Sequence, residues 1–598
     1  METAEKTDAV HIESLNNQTE NSPDRHELHT KTIQEEAAEP ASPLQLGWRT
    51  WLVVLLSSFT IMAQVYTTVA AASVVSFIAM DFEGSALSGW IIQGPLLMQA
   101  ALSPIVGRLS DILDRKYLAS IPPLIAFVGA VICAKATSMN MLIGGSILVG
   151  VTLSTIAIVQ SIPSEILPLK YRTVSNGISF LGGASAGIIG QLSAGAYTNM
   201  SPSGWRYIFW TQAAFHLTSA LGFLLFYWPP RHTDFPRMKL TEYIWACDPI
   251  GSVLFIGSST TILLALDWAA GTYPWSSAHV IGPLVTGCVL LIAFCLYELF
   301  ARPDGLLAHA FFRSGRNFPL ALLAFTIEGY IFYSAVTSLT PQLILRLGYA
   351  TTPMRIAVRH QLFYLVPVFA ASVPITWYAT ARRDLRTPLV GCFAIFLGVA
   401  GAYAGVTPGW GDGVQQGLNV LCAVGQAGPL TLLVAAVQFA APHRYLSTAT
   451  GLAFSARAVG GAVGSAVLEA VVKGYVGGRY GGAVAGAARR AGVRDEGVVG
   501  EIVGAMAGGE GATSVEALGA VVGEGVGAAQ LEAVVGEGRW VWARGYRLAW
   551  ASVVPFTVVA LVCVACLSGV GELMTERVEA TVERVPRGDE EKRVDGEE

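Results

Sequence analysis

Apolar residues run along this chain in stretches of about twenty, the length a helix needs to cross the hydrocarbon core of a bilayer. Such runs lie near 48–79, 86–106, 118–137, 141–162, 173–197 and 205–228, then near 250–270 and 279–300. Six more follow near 318–340, 357–379, 388–406, 415–439, 448–472 and 548–571. The pattern predicts about fourteen transmembrane helices and an all-α integral membrane fold.

Composition agrees with that pattern. A chain of 598 residues with 53% hydrophobic and 14% charged residues is too apolar to be soluble at this size. The net charge of −5 resides in the tails and one loop, so it implies no nucleic-acid partner. Of eight cysteines only Cys563 and Cys566 are closely spaced. They lie deep in the last run, where helix packing explains them better than a metal or redox role. No metal site is expected.

Orientation follows from the cations of the short loops. One set holds fifteen Lys and Arg residues, from Arg108 to Arg444; the other holds Lys135, Arg206, Arg346, Arg355 and Arg359. The richer side is cytoplasmic, and both ends fall there. Residues 1–46 then read as a disordered cytoplasmic tail and 572–598 as a solvated one. Residues 475–547, rich in Gly, Ala, Val and Glu, form a long non-cytoplasmic loop. Abundant glycine opposes stable helices in it, which favours a mobile surface loop over a substrate-guiding lid.

An internal repeat divides the chain. PLKYRTVSNGISFLGGASAGIIG begins at Pro168 and PHRYLSTATGLAFSARAVGGAVG at Pro442, so that Tyr171/Tyr445, Gly177/Gly451, Phe180/Phe454, Gly187/Gly461 and Gly190/Gly464 coincide. Both copies start on the cytoplasmic side and run outward, which makes this a parallel repeat. It predicts a six-helix half at 47–228, a linker and two-helix insert at 229–300, and a second six-helix half at 301–571.

The charged turn GRLSDILDRKY, Gly107–Tyr117, joins two spans at the cytoplasmic face. Gly107, Leu109, Asp111, Arg115 and Lys116 resemble the G-x-L-A-D-R-x-G-R-K signature of the major facilitator superfamily, while Ile112 and Asp114 depart from it. Together with SEILPLKYR, GWRYIFW, EYIWACDPIGS and LALDWAAGTYPW, the chain resembles the fourteen-span fungal group of trichothecene efflux pumps and siderophore transporters. The resemblance implies proton-driven movement of a small organic substrate through a cavity between the halves, opened alternately to each side. It implies no cofactor beyond the proton gradient. A monomer in the plasma membrane is expected, with a vacuolar or vesicle membrane as the alternative. Efflux is the first reading and uptake of ferric siderophores the second. A non-transporting nutrient sensor would need longer cytoplasmic tails. An enzyme would need a polar cluster that the scattered histidines do not form.

Candidate chemistry is sparse. Glu328 and Arg457 each lie about mid-span, where an isolated charge costs roughly 2.5–3.5 kcal/mol. They are therefore read as a facing pair and as the proton-coupling candidates. Members of the drug:proton antiporter type often place an acid in the first span and an arginine in the fourth, where this chain has Gln64 and Ser146. Their fifth-span motif also differs from the Ala186–Gln191 stretch, so Glu328 becomes the strongest remaining candidate for the proton role. The gate candidates are Gly107, Asp111, Arg115, Lys116, Glu165 and Arg172, with Glu165 meeting either Arg172 or the Arg115/Lys116 turn. Gln64, Gln93, Gln160 and Gln426 are candidates to line a cavity. Arg359 and His360 sit near the outer end of their span, where snorkelling suffices. His216 reads as a hydrogen-bonded packing residue, and Asn199 as a glycosylation candidate.

One consequence is topological. An epitope tag inserted within 475–547 is expected to bind antibody on intact cells, whereas tags at either end bind only after permeabilisation. Protection of the inserted tag would overturn the orientation.

Overall fold

The computed structural model describes residues 46–82, 88–113, 115–201, 203–229, 239–271, 273–313, 315–350, 353–507, 514–522 and 526–579. All but the last residue of the expected 1–46 tail, and Asp114 of the gate turn, lie outside them.

The first half comprises α1 (Trp48–Asp81), α2 (Trp90–Ile112), α3 (Arg115–Ala134), α4 (Met139–Ser154), α5 (Ile156–Ile166), α6 (Arg172–Met200) and α7 (Arg206–Phe226). Helices α4 and α5 are one span with a break at Thr155, where Gln64 Nε2 donates to the carbonyl of Thr152 at 2.8 Å. The short α8 (Leu240–Ala246) leads into the insert, α9 (Pro249–Gly271) and α10 (Ala278–Phe300). The second half runs through α11 (Asn317–Tyr330), α12 (Thr340–Arg346), α13 (Pro353–His360), α14 (Val366–Arg382), α15 (Arg386–Tyr403), α16 (Asp412–Ala440) and α17 (Leu446–Gly477). Then come α18 (Tyr480–Arg490), α19 (Glu496–Ala507), α20 (Val515–Val522) and α21 (Ala528–Ala565).

Thirteen described helices are long and apolar enough to cross a membrane. The remaining expected span is α6, which is 29 residues long but rich in Ser, Gly and Asn. Those residues are tolerated because α6 packs against α1 within its half and against α14 of the other half. The insert packs on α2 and α17, along the opposite edge where the halves meet.

The repeat is visible in the packing. Gly177 of α6 lies against Thr376 of α14, and its counterpart Gly451 of α17 lies against Ser103 of α2. Gly190 approaches Tyr66 of α1, and its counterpart Gly464 approaches Tyr330 of α11. Each related pair thus lets its helix close on the equivalent neighbour, as small residues do between membrane helices.

The 475–547 segment differs from the mobile loop expected of it. Among its described residues are three helices, α18 to α20, packed on the outer half of α21. The reason is a stripe that glycine content obscures. Tyr480, Val484, Ala487 and Ala488 fall on one face of α18 and are buried, as are Ile502 of α19, Leu518 of α20 and Val534 of α21. Each interior glycine costs about 1 kcal/mol relative to alanine, and burial of that stripe offsets it. At 1.5 Å per residue the 38 residues of α21 span roughly 57 Å, so its first half stands clear of a bilayer core of about 30 Å.

The C-terminal tail also departs from expectation, because its first residues are docked rather than solvated. Leu169 N donates to Arg577 O at 2.9 Å and Lys170 N to Thr575 O at 2.8 Å. The Glu579 carboxylate lies between Arg172 of the first half (2.6 Å) and His443 Nδ1 of the second (3.0 Å). Burial pushes the Glu579 carboxyl up, but Arg172 and His443 outweigh it and hold it at about 2, well below the ordinary 4.5. Its contribution to stability is therefore complete above that ordinary value and is lost as pH falls toward 2. Glu579→Gln removes the carboxylate facing buried Arg172. A loss of about 3 kcal/mol is expected, the lower end for breaking a buried pair. Thermal unfolding in detergent at neutral pH should show a lower midpoint, and an unchanged midpoint would mean the strap adds no stability.

Candidate functional site

The Gly107–Tyr117 turn caps a helix of the opposite half. Asp111 Oδ1 accepts from Ser447 N at 3.0 Å, and Oδ2 accepts from Thr448 N at 2.8 Å and Thr448 Oγ1 at 2.6 Å. These amides open α17, where a carboxylate also meets the positive end of the helix dipole. Gly107 allows this approach, since a Cβ there would collide with the Ser447 carbonyl. Arg115 donates to Asp111 at 3.0 Å and pairs with Glu165 of α5. Of the partners open to Glu165, the structure thus selects Arg115. Arg172 pairs with Glu579 instead, and its Nη1 donates to Gln438 O across the halves at 3.1 Å. Lys116 is buried over the Trp228 ring.

Behind the turn a buried polar network continues between the halves. Gln160 Nε2 donates to Asn176 Oδ1 at 2.8 Å, and Asn176 Nδ2 to Gln438 Oε1 at 2.8 Å. Ser164 Oγ donates to the same Gln438 oxygen at 3.0 Å, and Ser161 Oγ lies 3.0 Å from Ser447 Oγ. Gln160 is therefore hydrogen-bonded within the interface between the halves. Gln64 is fully buried, bonded to Thr152 and Thr155, and Gln93 is exposed. Asn199 is exposed in the last turn of α6. Among the described residues no group of three or more His, Cys, Asp or Glu could hold a metal ion.

The second constellation lies at the core of the C-terminal half. Arg457 of α17 reaches Glu328 of α11 with Nε at 2.5 Å from Oε2 and Nη2 at 3.2 Å from Oε1. Gln426 of α16 donates to Glu328 Oε1 at 2.7 Å, so this glutamine belongs to the ion pair. Arg457 Nη1 donates to Tyr333 Oη at 3.1 Å, and the guanidinium lies within cation–π distance of Phe325, Phe332 and Tyr333. Neighbouring Gly329 lets α11 and α17 touch closely enough for the pair to form.

Tyr333 was not among the residues singled out from the sequence. It sits in a π-helical stretch, Ile331–Leu339, directly after Glu328, and a second such stretch covers Gln361–Leu365. Each ends two residues before a proline, Pro341 and Pro367. A proline lacks the N–H for the preceding turn and crowds its carbonyl, and a widened turn relieves both. That spacing was a readable signal.

Arg359 also differs from expectation. It is buried rather than snorkelling, and donates to Gln415 Oε1 at 2.9 and 2.7 Å and to Asp412 at 3.1 Å, which ties α13 to the start of α16. His216 is buried, with Gln212 Nε2 2.9 Å from its Nε2, as a packing residue should be.

A family model described as the Major Facilitator Superfamily matches residues 50–465, well over half of the chain. The chain belongs to the Major Facilitator Superfamily. Among curated relatives, this facilitator is 30% identical over 253 residues to the MFS-type transporter ucsD of Acremonium sp, covering 42% of each chain. It is 32% identical over 268 residues to the efflux pump FUS6 of Gibberella fujikuroi, covering 43% of this chain and 45% of that protein. To the MFS-type transporter prx5 of Penicillium rubens it is 27% identical over 368 residues, covering 60% and 65%. The chain thus spans about half the length of the curated relatives it matches. A solved bacterial homologue of the human lysosomal transporter Spinster aligns with a TM-score of 0.48 at 17% identity, covering 89% of this chain and 98% of that one.

Asp111→Asn is expected to slow exchange between the two faces, because the amide keeps one acceptor oxygen but loses the charge at the α17 terminus. Initial substrate-binding affinity in detergent should stay within about threefold, since the turn lies far from the central pair and a distant contact couples weakly. Single-turnover transport at the parental rate would leave the turn only a topological role.

Proposed function

We propose that this facilitator is a proton-coupled exporter of a small organic molecule, working by alternating access with Glu328 as its proton-binding group. The observation that carries the reading is the buried Glu328–Arg457–Gln426 constellation. A carboxylate this deep is stable only while Arg457 compensates it. Protonation of Glu328 removes the charge that Arg457 compensates and leaves the guanidinium, already bonded to Tyr333, to find another partner. Proton binding and rearrangement of α11 against α17 are thereby linked. The π-helical stretch after Glu328 gives α11 a register that can shift at small cost. Aromatic rings around the pair suit an apolar, ring-containing cargo. The names of the relatives FUS6 and LUC4, both efflux pumps, support export over import. The plasma membrane is the corresponding location, and a monomer carries the whole mechanism.

In the closed cytoplasmic gate, Asp111 holds α17 and Gln438 holds α5 and α6. Substrate release then occurs to the outside, where protons enter and reach Glu328. Return to the cytoplasm-open state requires the gate contacts to break together.

The test is transport in proteoliposomes with an imposed pH gradient, followed by a pH-sensitive dye, against a panel of fungal secondary metabolites and ferric siderophores. Glu328→Gln is expected to abolish substrate-driven proton movement. Arg457→Ala, which strands a buried carboxylate, should cost about 3–5 kcal/mol of stability. The double variant Glu328→Gln/Arg457→Ala should recover folding without coupling. Accumulation against a gradient by Glu328→Gln with normal pH dependence would remove Glu328 from the mechanism. Proton-driven entry of a ferric siderophore would reverse the direction.

A further inference from the structure

The two-helix insert has no counterpart in the repeat, yet both of its ends reach the gate. Arg108, next to Gly107 in the turn, is completely buried. Its Nε donates to Ala246 O at 3.1 Å, just before the insert. Its Nη2 donates to Asp304 O at 3.1 Å and pairs with Asp304 Oδ2 at 3.2 Å, just after the insert. The same Asp304 carboxylate accepts from Tyr445 Oη at 2.5 Å and lies 3.7 Å from Arg444 Nη2, both at the start of α17. The Tyr445 ring in turn lies against the Arg108 guanidinium, 5.3 Å from centroid to Cζ. One side chain thus touches α2 of the first half and the α17 entry of the second.

Asp304 is held in place from within the insert. Glu298 near the end of α10 accepts from Leu306 N at 3.2 Å and Leu307 N at 3.0 Å, and its own carbonyl lies 3.1 Å from His309 Nε2. Gly305 packs directly on that carboxylate. Arg302 Nη2 donates to Trp245 O, which laces the two ends of the insert together. The loop that presents Asp304 is therefore braced by backbone hydrogen bonds to a buried acid.

We infer that the insert supplies a second lock of the cytoplasmic gate, with Asp304 as the positioning residue that clamps Arg108 to Tyr445. The halves cannot part at this face while Asp304 holds both, because Arg108 moves with α2 and Tyr445 with α17. The lock is separate from the Asp111 cap, sharing neither donors nor acceptors with it. It concerns the gate alone, so it stands whatever the cargo or the driving ion.

The experiment reads gate opening without a substrate. Ser161→Cys, buried against Ser447 across the interface, is placed in a full-length chain whose eight native cysteines are replaced by serine. Its reaction with a membrane-impermeant maleimide is timed from the cytoplasmic side of inside-out vesicles. Asp304→Ala should raise the labelling rate about tenfold, the equivalent of one charge-assisted hydrogen bond. Asp304→Glu, which keeps the carboxylate, should restore most of the protection, a rescue that a merely structural position would not show. Tyr445→Phe, which removes only the hydroxyl, should raise the rate by a smaller step. Parental labelling in folded Asp304→Ala overturns the inference, as does an Asp304→Glu variant as open as alanine. Where Asp304→Ala does not yield monodisperse protein, Tyr445→Phe decides, and a parental rate in that variant overturns it.

Discussion

A guanidinium withdrawn from water has to be met by a carboxylate, and among the described residues that requirement is met five times. Arg108, Arg115, Arg172, Arg359 and Arg457 are all buried, and each reaches an acid: Asp304, Asp111 with Glu165, Glu579, Asp412 and Glu328. A lone buried charge costs several kcal/mol, whereas a paired and hydrogen-bonded one is tolerated. Three of the five lie around the turn between α2 and α3 and the loops of the repeat. The other two bind helices within the C-terminal half. Motion between halves therefore has to part Arg108 from Asp304 or Asp304 from Tyr445, whereas the Arg115 and Arg359 pairs each lie within one half.

Much of this was legible in the sequence. Spans and the parallel repeat follow from hydropathy and the two P-x-[KR]-Y stretches. The Glu328–Arg457 contact follows from two mid-span charges at matching depth, because each alone is too costly to leave unpaired. What stayed hidden depends on partners far apart in sequence with no periodic signature. Arg108 and Asp304 are 196 positions apart and each reads as an ordinary loop residue. Glu579 belongs to a charged tail whose composition describes solvation, and Arg172 could equally have met Glu165. The outer helices were missed for another reason. Glycine propensity was weighed residue by residue, while the buried stripe through Tyr480, Val484 and Ala488 acts on the segment as a whole.

The two edges where the halves meet are not equivalent despite the repeat. Along α2 and α17 the insert covers the seam and reaches into the gate. Along α6 and α14 no described helix covers it. A groove of about 580 Å³ lies there, lined by Gly177, Ile178, Thr376 and Trp377, with Lys170 and Glu576 also on its wall. The repeat provides the symmetric frame, and the added segments, insert and tail, distinguish one edge from the other.

The docked tail has a mechanical meaning that its hydrogen bonds alone do not convey. Between the end of α21 and Thr575, residues 566–574 are folded into a compact turn, with Gly571 packed against the Arg383 carbonyl. Pulled straight, nine residues reach roughly 30 Å. Residues 575–577, hydrogen-bonded to residues 169 and 170 of the first half, are thereby joined to α21 of the second half through a segment with length in reserve. The tail is thus a covalent link that starts in the second half and docks on the first, and its contour length caps their separation at this end for as long as those hydrogen bonds hold.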